Sequence, residues 1–144
     1  MKNLILIAVS LSLAFNALAD GSSKDAKKIQ GTWLPSEAAV GGKAMGDDFL
    51  KSTVLKMTDG KYEVTVAGAP DKGTYTLDAS AKPKRIDITG VEGPNAGKTF
   101  PSIYELKGDS LRICYALSGT NRPTEFKSPA GTQYFLVVYH RKKS

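Results

Sequence analysis

The chain has 144 residues, of which 41% are hydrophobic, 8% aromatic and 24% charged, and 20 Lys and Arg against 14 Asp and Glu give a net charge of +6. This composition belongs to an ordinary globular protein and excludes disordered, collagen-like and coiled-coil chains. One cysteine, Cys114, excludes an intramolecular disulfide, and one histidine, His140, leaves little room for a histidine metal site or a His-dependent triad.

Residues 1–19 read as a signal peptide. Met1-Lys2-Asn3 is a short positive start, Leu4 to Phe15 is a mostly apolar run, and Ala17-Leu18-Ala19 is the small-residue pattern a signal peptidase reads. A membrane-spanning helix needs about 20 apolar residues, so the run is short for an anchor. No cysteine follows it, which excludes lipoprotein-type lipid attachment. Cleavage after Ala19 and export to a periplasmic or extracellular location are expected. The mature chain then has 125 residues and, having lost only Lys2 among its charges, a net charge of +5. A domain of that size buries enough apolar surface to fold without disulfides. Cys114 therefore reads as a small buried hydrophobe.

Residues 20–28 (DGSSKDAKK) show no apolar periodicity and read as a flexible leader to a domain spanning 29–144. Ile29 to Pro35 forms a first strand that carries the only Trp. A short helix is expected over Asp47 to Ser52, where two acidic residues suit a helix start. Val54 to Thr58 is the second strand, and Asp59-Gly60 is a hairpin dipeptide leading into the third, where Tyr62, Val64 and Val66 alternate with polar residues. Gly73 to Leu77 is the fourth, and Arg85 to Thr89 the fifth, with Ile86 and Ile88 on one face and Asp87 on the other. Lys98 to Leu106 is the sixth, and its Pro101, which lacks an N–H, implies a bulge or an edge. Leu111 to Leu117 is the seventh. Gln133 to His140 is the eighth and is apolar on both faces, so its outer side calls for cover from the helix, the leader or a second subunit.

Short strands joined mostly by turn-sized connections, with no alternating long helices, predict an all-β sandwich or up-and-down barrel. Gly31-Thr32-Trp33 is the G-x-W start of lipocalin-like barrels. The blocks IQGTW (29–33), KGTYTLD (72–78), KPKRIDI (82–88), EGPNAGKT (92–99), IYELKGDSLRICYA (103–116) and RPTEF (122–126) together resemble a family of small exported bacterial domains of unknown function, abundant in planctomycetes. The resemblance runs from Ile29 to nearly the end of the chain. It implies an eight-stranded antiparallel up-and-down lipocalin-like (calycin-type) barrel, here with at most one short helix. It also implies closure of one end by Trp33 against a basic residue. Arg141 on the last strand is the first choice, with Arg112 and Arg122 as rivals. The chain is shorter than most lipocalins. An eight-stranded barrel is just wide enough to be filled by its own side chains or to hold one small ligand.

Several segments invite functional readings. Gly93 to Thr99 resembles a phosphate loop, but three residues rather than four separate its glycines and it leads into a strand, so it reads as a turn. Arg122, Glu125 and Phe126 mark a rim or partner loop in which Arg122 and Glu125 are placed to pair across a turn, whether to meet a partner or to set strand register. Asp87 reads as an outward carboxylate paired with a neighbouring cation, and His140, beside three further cations, as solvated. Tyr62, Tyr75 and Tyr115 alternate with aliphatic neighbours and point inward. With Ile86 they are the candidate ligand-binding set, supplying apolar bulk and hydroxyls.

The expectation is a non-enzymatic exported binding module that holds a small apolar or amphipathic molecule. The alternative is a filled barrel acting as a protein–protein interaction or inhibitor domain in the cell envelope. No cofactor, metal or nucleic-acid site and no membrane span is expected, since no nucleophile–base spacing, ligand cluster or interleaved basic-aromatic stripe is present.

Overall fold

The computed structural model describes residues 21–143; the signal-peptide reading lies outside them. Nine strands form one antiparallel sheet: β1 (Gly31–Val40), β2 (Lys43–Ala44), β3 (Thr53–Thr58), β4 (Lys61–Val66), β5 (Ala69–Asp78), β6 (Arg85–Glu92), β7 (Thr99–Lys107), β8 (Ser110–Ala116) and β9 (Tyr134–Arg141). Each strand from β3 onward pairs with the next. β1 pairs with β3 on one side and β9 on the other, so eight strands close an up-and-down barrel and β2 is an extra strand on β1. The β1–β9 seam runs from Trp33 opposite Arg141 to Val40 opposite Phe135, with a bulge between Pro35 and Glu37. The architecture is that of a lipocalin-like barrel.

Alternation sets the interior. Trp33 stands opposite Leu55 and Met57 opposite Tyr62, while Ile88 stands between Tyr75 and Phe100. These residues, with Ile86, Leu111, Ile113, Val137 and Tyr139, make one buried cluster. Each fully buried Leu or Ile contributes roughly 1.5–3 kcal/mol of transfer free energy.

Among the described residues two helices are present rather than one. α2 (Asp47–Ser52) matches the expected short helix. α1 (Ser22–Lys28) occupies the segment read as a flexible leader, and this corrects that expectation. Its sequence carries no apolar stripe because its buried residues are the polar Ser22 and Asp25. Ser22 Oγ accepts the Ala79 N–H at 2.9 Å. Asp25 accepts the Tyr104 hydroxyl at 2.7 Å and the Lys84 ammonium at 2.8 Å. A polar lock, not an apolar face, seats the helix on the barrel.

Pro101 causes no bulge but does take a local edge position. It sits inside β7 opposite Asp87 with the register intact. Pairing between β7 and β8 begins only at Ser102, so no ladder partner is needed beside it. On β9, Leu136 and Val138 face outward into a shallow groove with Ala39, Ala44 and Met45, which leaves them half-buried.

Candidate functional site

The two ends of the barrel differ. At the base lie α1, the Asp59-Gly60 turn, residues 79–84 and residues 107–109. Trp33 is fully buried there, its indole N–H donating to the Ile29 carbonyl at 2.8 Å. Arg141 lies over its ring with the guanidinium carbon 4.3 Å from the ring centroid. Of the three candidate cations, Arg141 is the one on Trp33: Arg112 covers Phe126 instead at 4.0 Å and bonds Glu105, and Arg122 lies elsewhere on the wall.

The opposite end is a mouth, formed by α2, the Ala67-Gly68 turn, the loop of residues 93–98 and the start of the segment after β8. Beneath it is a cavity of about 280 Å³. Phe49, Val66, Pro94 and Leu117 surround the upper part, and Leu55, Met57, Ile88 and Ile113 line its walls and floor. Phe135 stacks on Tyr115 and meets Phe49 edge-on, joining α2 to the barrel wall. An aliphatic cavity of about 150 Å³ is enough to hold a benzene ring, so the space accommodates a small organic molecule.

A few polar groups face this apolar space. Tyr115 and Tyr139 share a hydroxyl–hydroxyl hydrogen bond of 2.8 Å. Asp71, opposite Val64 and hence on the inward face of β5, accepts the Asn95 side-chain N–H at 2.6 Å through Oδ2. Among the described residues its Oδ1 is buried without a well-formed hydrogen bond, with the Tyr62 hydroxyl within interaction range of the carboxylate. Asn95 arrives because residues 93–98 fold back on β6, with Ala96 bridging to Gly90. Gly90 is required for this approach, since a Cβ there would lie 2.0 Å from the Asn95 carbonyl oxygen.

Burial first, and then the nearby Asp71 carboxylate, push the Tyr62 hydroxyl up to about 12. Burial carries Tyr139 to about 12 against the opposing effect of its bond to Tyr115, and drives Tyr115 well above its ordinary value. All three hydroxyls stay protonated at neutral pH, suited to hydrogen bonding rather than to acting as bases.

Of the predicted ligand-binding set, Tyr62 and Tyr115 line the cavity. Tyr75 and Ile86 point inward but lie outside it, buried in the core. Asp71, Asn95 and Tyr139 line the cavity and were not in the set. Asp71 lies in a turn-like Ala-Pro-Asp-Lys-Gly stretch and Asn95 in a glycine-flanked loop, and neither has a periodic signal.

The predicted rim loop is not at the rim. Residues 117–133 leave the mouth and fold down the outer wall. Arg122 there donates to the Ser102 carbonyl at 2.7 Å and to Asp87 Oδ1 at 2.6 Å. This corrects the expected Arg122–Glu125 pair: Glu125 pairs with Lys127, with N and O 3.8 Å apart. The strap covers the outward side chains of Ile103 and Cys114, and Pro123 is fully buried with them. The Cys114 thiol donates to the Lys127 carbonyl at 3.4 Å, and burial raises its pKa. Among the described residues, no three His, Cys, Asp or Glu side chains group in a way that would hold a metal ion, and no helix is long and apolar enough to cross a membrane.

No family model, curated protein or solved structure matches the chain.

Proposed function

We propose that the chain is an exported, non-enzymatic binding module that holds a small apolar or amphipathic molecule in the upper half of its barrel. One observation carries this reading: the barrel is plugged by Trp33 and α1 at its base but keeps a largely apolar cavity of about 280 Å³ beneath a mouth of loops. An apolar pocket with a few convergent polar groups is the usual form of a small-molecule site. The tyrosine hydroxyls are held protonated by burial, which favours fixing a ligand over attacking one. Export rests on the pattern of residues 1–19, and kinship with the small exported bacterial domains rests on the sequence blocks from Ile29 onward.

Native mass spectrometry of the mature protein, purified from its host's envelope before and after solvent extraction, tests the reading. A discrete extra mass that leaves with the solvent is expected. A bare dimer would overturn it in favour of an interaction domain, and would direct attention to the outward Leu136 and Val138 on β9.

A further inference from the structure

Within the carrier reading, on which this step rests, we propose that the cavity selects a protonated amine on a short apolar body, with Asp71 as its counter-charge. Among the described residues that line the cavity, Asp71 is the one charged side chain. The other polar groups there are neutral: the hydroxyls of Tyr62, Tyr115, Tyr139 and Thr53, and the Asn95 amide. No lining cation offsets the carboxylate.

The hydrogen bonding points the same way. Tyr115 and Tyr139 satisfy each other, and Asn95 takes one oxygen of Asp71 at 2.6 Å. Among the described residues the other oxygen, Oδ1, is buried without a well-formed hydrogen bond, and the Tyr62 hydroxyl, a neutral donor, lies within interaction range of the carboxylate. A buried carboxylate met only by neutral donors is costly, and a charge-assisted donor is the strongest available match. An ammonium supplies both the donor and the opposite charge. A hydroxyl supplies only the donor, and a carboxylate meets a like charge in a low-dielectric space.

Placement completes the argument. Asp71 lies two residues in from the mouth end of β5, in one cross-strand row with Val64 and Leu55, and Asn95 reaches it from the mouth loop, whereas Met57 and Tyr62 lie two residues further toward the base. A ligand with its amine at the level of Asp71 and its chain pointing down satisfies both zones. The loop of residues 93–98, packed against Gly90 with no room for a Cβ, holds Asn95 and so orients the carboxylate.

Titration calorimetry of the mature protein at pH 7 with octylamine, 1-octanol and octanoate tests this. Octylamine is expected to bind at least tenfold tighter than octanol, and octanoate more weakly than either. Asp71→Asn should reduce the amine to within about twofold of the alcohol while leaving the alcohol's affinity unchanged. Equal binding of all three probes, an advantage for octanoate, or an amine preference that survives Asp71→Asn would overturn the proposal and leave the carrier reading standing. If none of the three binds, the carrier reading falls and takes this proposal with it. The ratio on the wild-type chain decides the point even where the variant does not fold.

Discussion

Arg141 does more to Trp33 than cover its ring. While its guanidinium lies over the indole, Nη1 donates to the Gln30 carbonyl at 2.7 Å and Nη2 to the Lys28 carbonyl at 2.5 Å. Gly31 makes room for it: a Cβ there would sit 2.8 Å from Nη1, and φ is +138°. The Gly-x-Trp start of the domain thus has a physical reason, since the glycine lets the last strand's arginine reach both the ring and the end of α1. Trp33→Ala should lower stability by about 3–5 kcal/mol, the range for removing a buried Trp from a core. Chemical denaturation with the Trp-independent far-ultraviolet signal checks it. An unchanged midpoint would mean that the ring is not closing the base.

Arg122 fixes the outer strap through the Ser102 carbonyl and Asp87, and the strap covers Cys114. The native thiol should therefore resist a maleimide or disulfide reagent until the protein unfolds. Arg122→Ala should cost about 1–3 kcal/mol and raise the native labelling rate of Cys114. Fast labelling of the wild-type protein would show that the strap does not seal the thiol.

Tyr62 and Tyr139 ionise near 12 in the folded chain against 10.0 for an ordinary tyrosine. Between those values the unfolded chain releases protons that the folded chain keeps, so stability is full below about pH 10 and falls as pH rises toward 12. The loss is on the order of 2–3 kcal/mol per group. Absorbance titration at 295 nm should show a tyrosine fraction that ionises only together with alkaline unfolding. Ionisation of all tyrosines near pH 10 with the fold intact would contradict it.

Gly90→Ala would drive a Cβ into the Asn95 carbonyl, and the contact is with backbone, which cannot swing aside as a side-chain end would. The loop of residues 93–98 should be displaced, with a stability loss of about 1–3 kcal/mol. Asn95→Ala leaves the backbone unaltered and should cost less. Thermal unfolding of the two variants, compared with the wild type, separates the backbone effect from the loss of the Asp71–Asn95 bond. Equal effects would mean that the side-chain bond, not the close approach, holds the loop.

Alternation made much of the barrel legible. Tyr62, Val64, Ile86, Ile88, Leu111 and Ile113 read as inward from period two alone, and the strand order followed from short turns such as Asp59-Gly60. The two acidic residues at Asp47 and Asp48 located α2. α1 escaped notice because its contacts to the barrel run through Ser22 and Asp25, which a hydropathy pattern counts as solvent-facing. Arg122 and Asp87 are 35 positions apart in sequence, and nothing local links them, whereas the nearer Glu125 offered a misleading partner. In the cavity, Tyr62 and Tyr115 were found by their alternation with aliphatic neighbours. Periodicity says which face a residue takes but not its height along the barrel, so Tyr75 and Ile86 were grouped with them. Asp71 and Asn95 depend on a loop folding back across a strand, which no local pattern encodes.

Gly21 and Arg141 border the same depression at the base, so the chain enters and leaves the barrel on the side away from the mouth. A solid support, a fluorescent fusion or a biotin attached on that side would leave the mouth facing open solvent. The two positions are also suited to joining by a short linker, with new ends cut elsewhere, so that the order of the strands along the chain can be changed while their order around the barrel is kept.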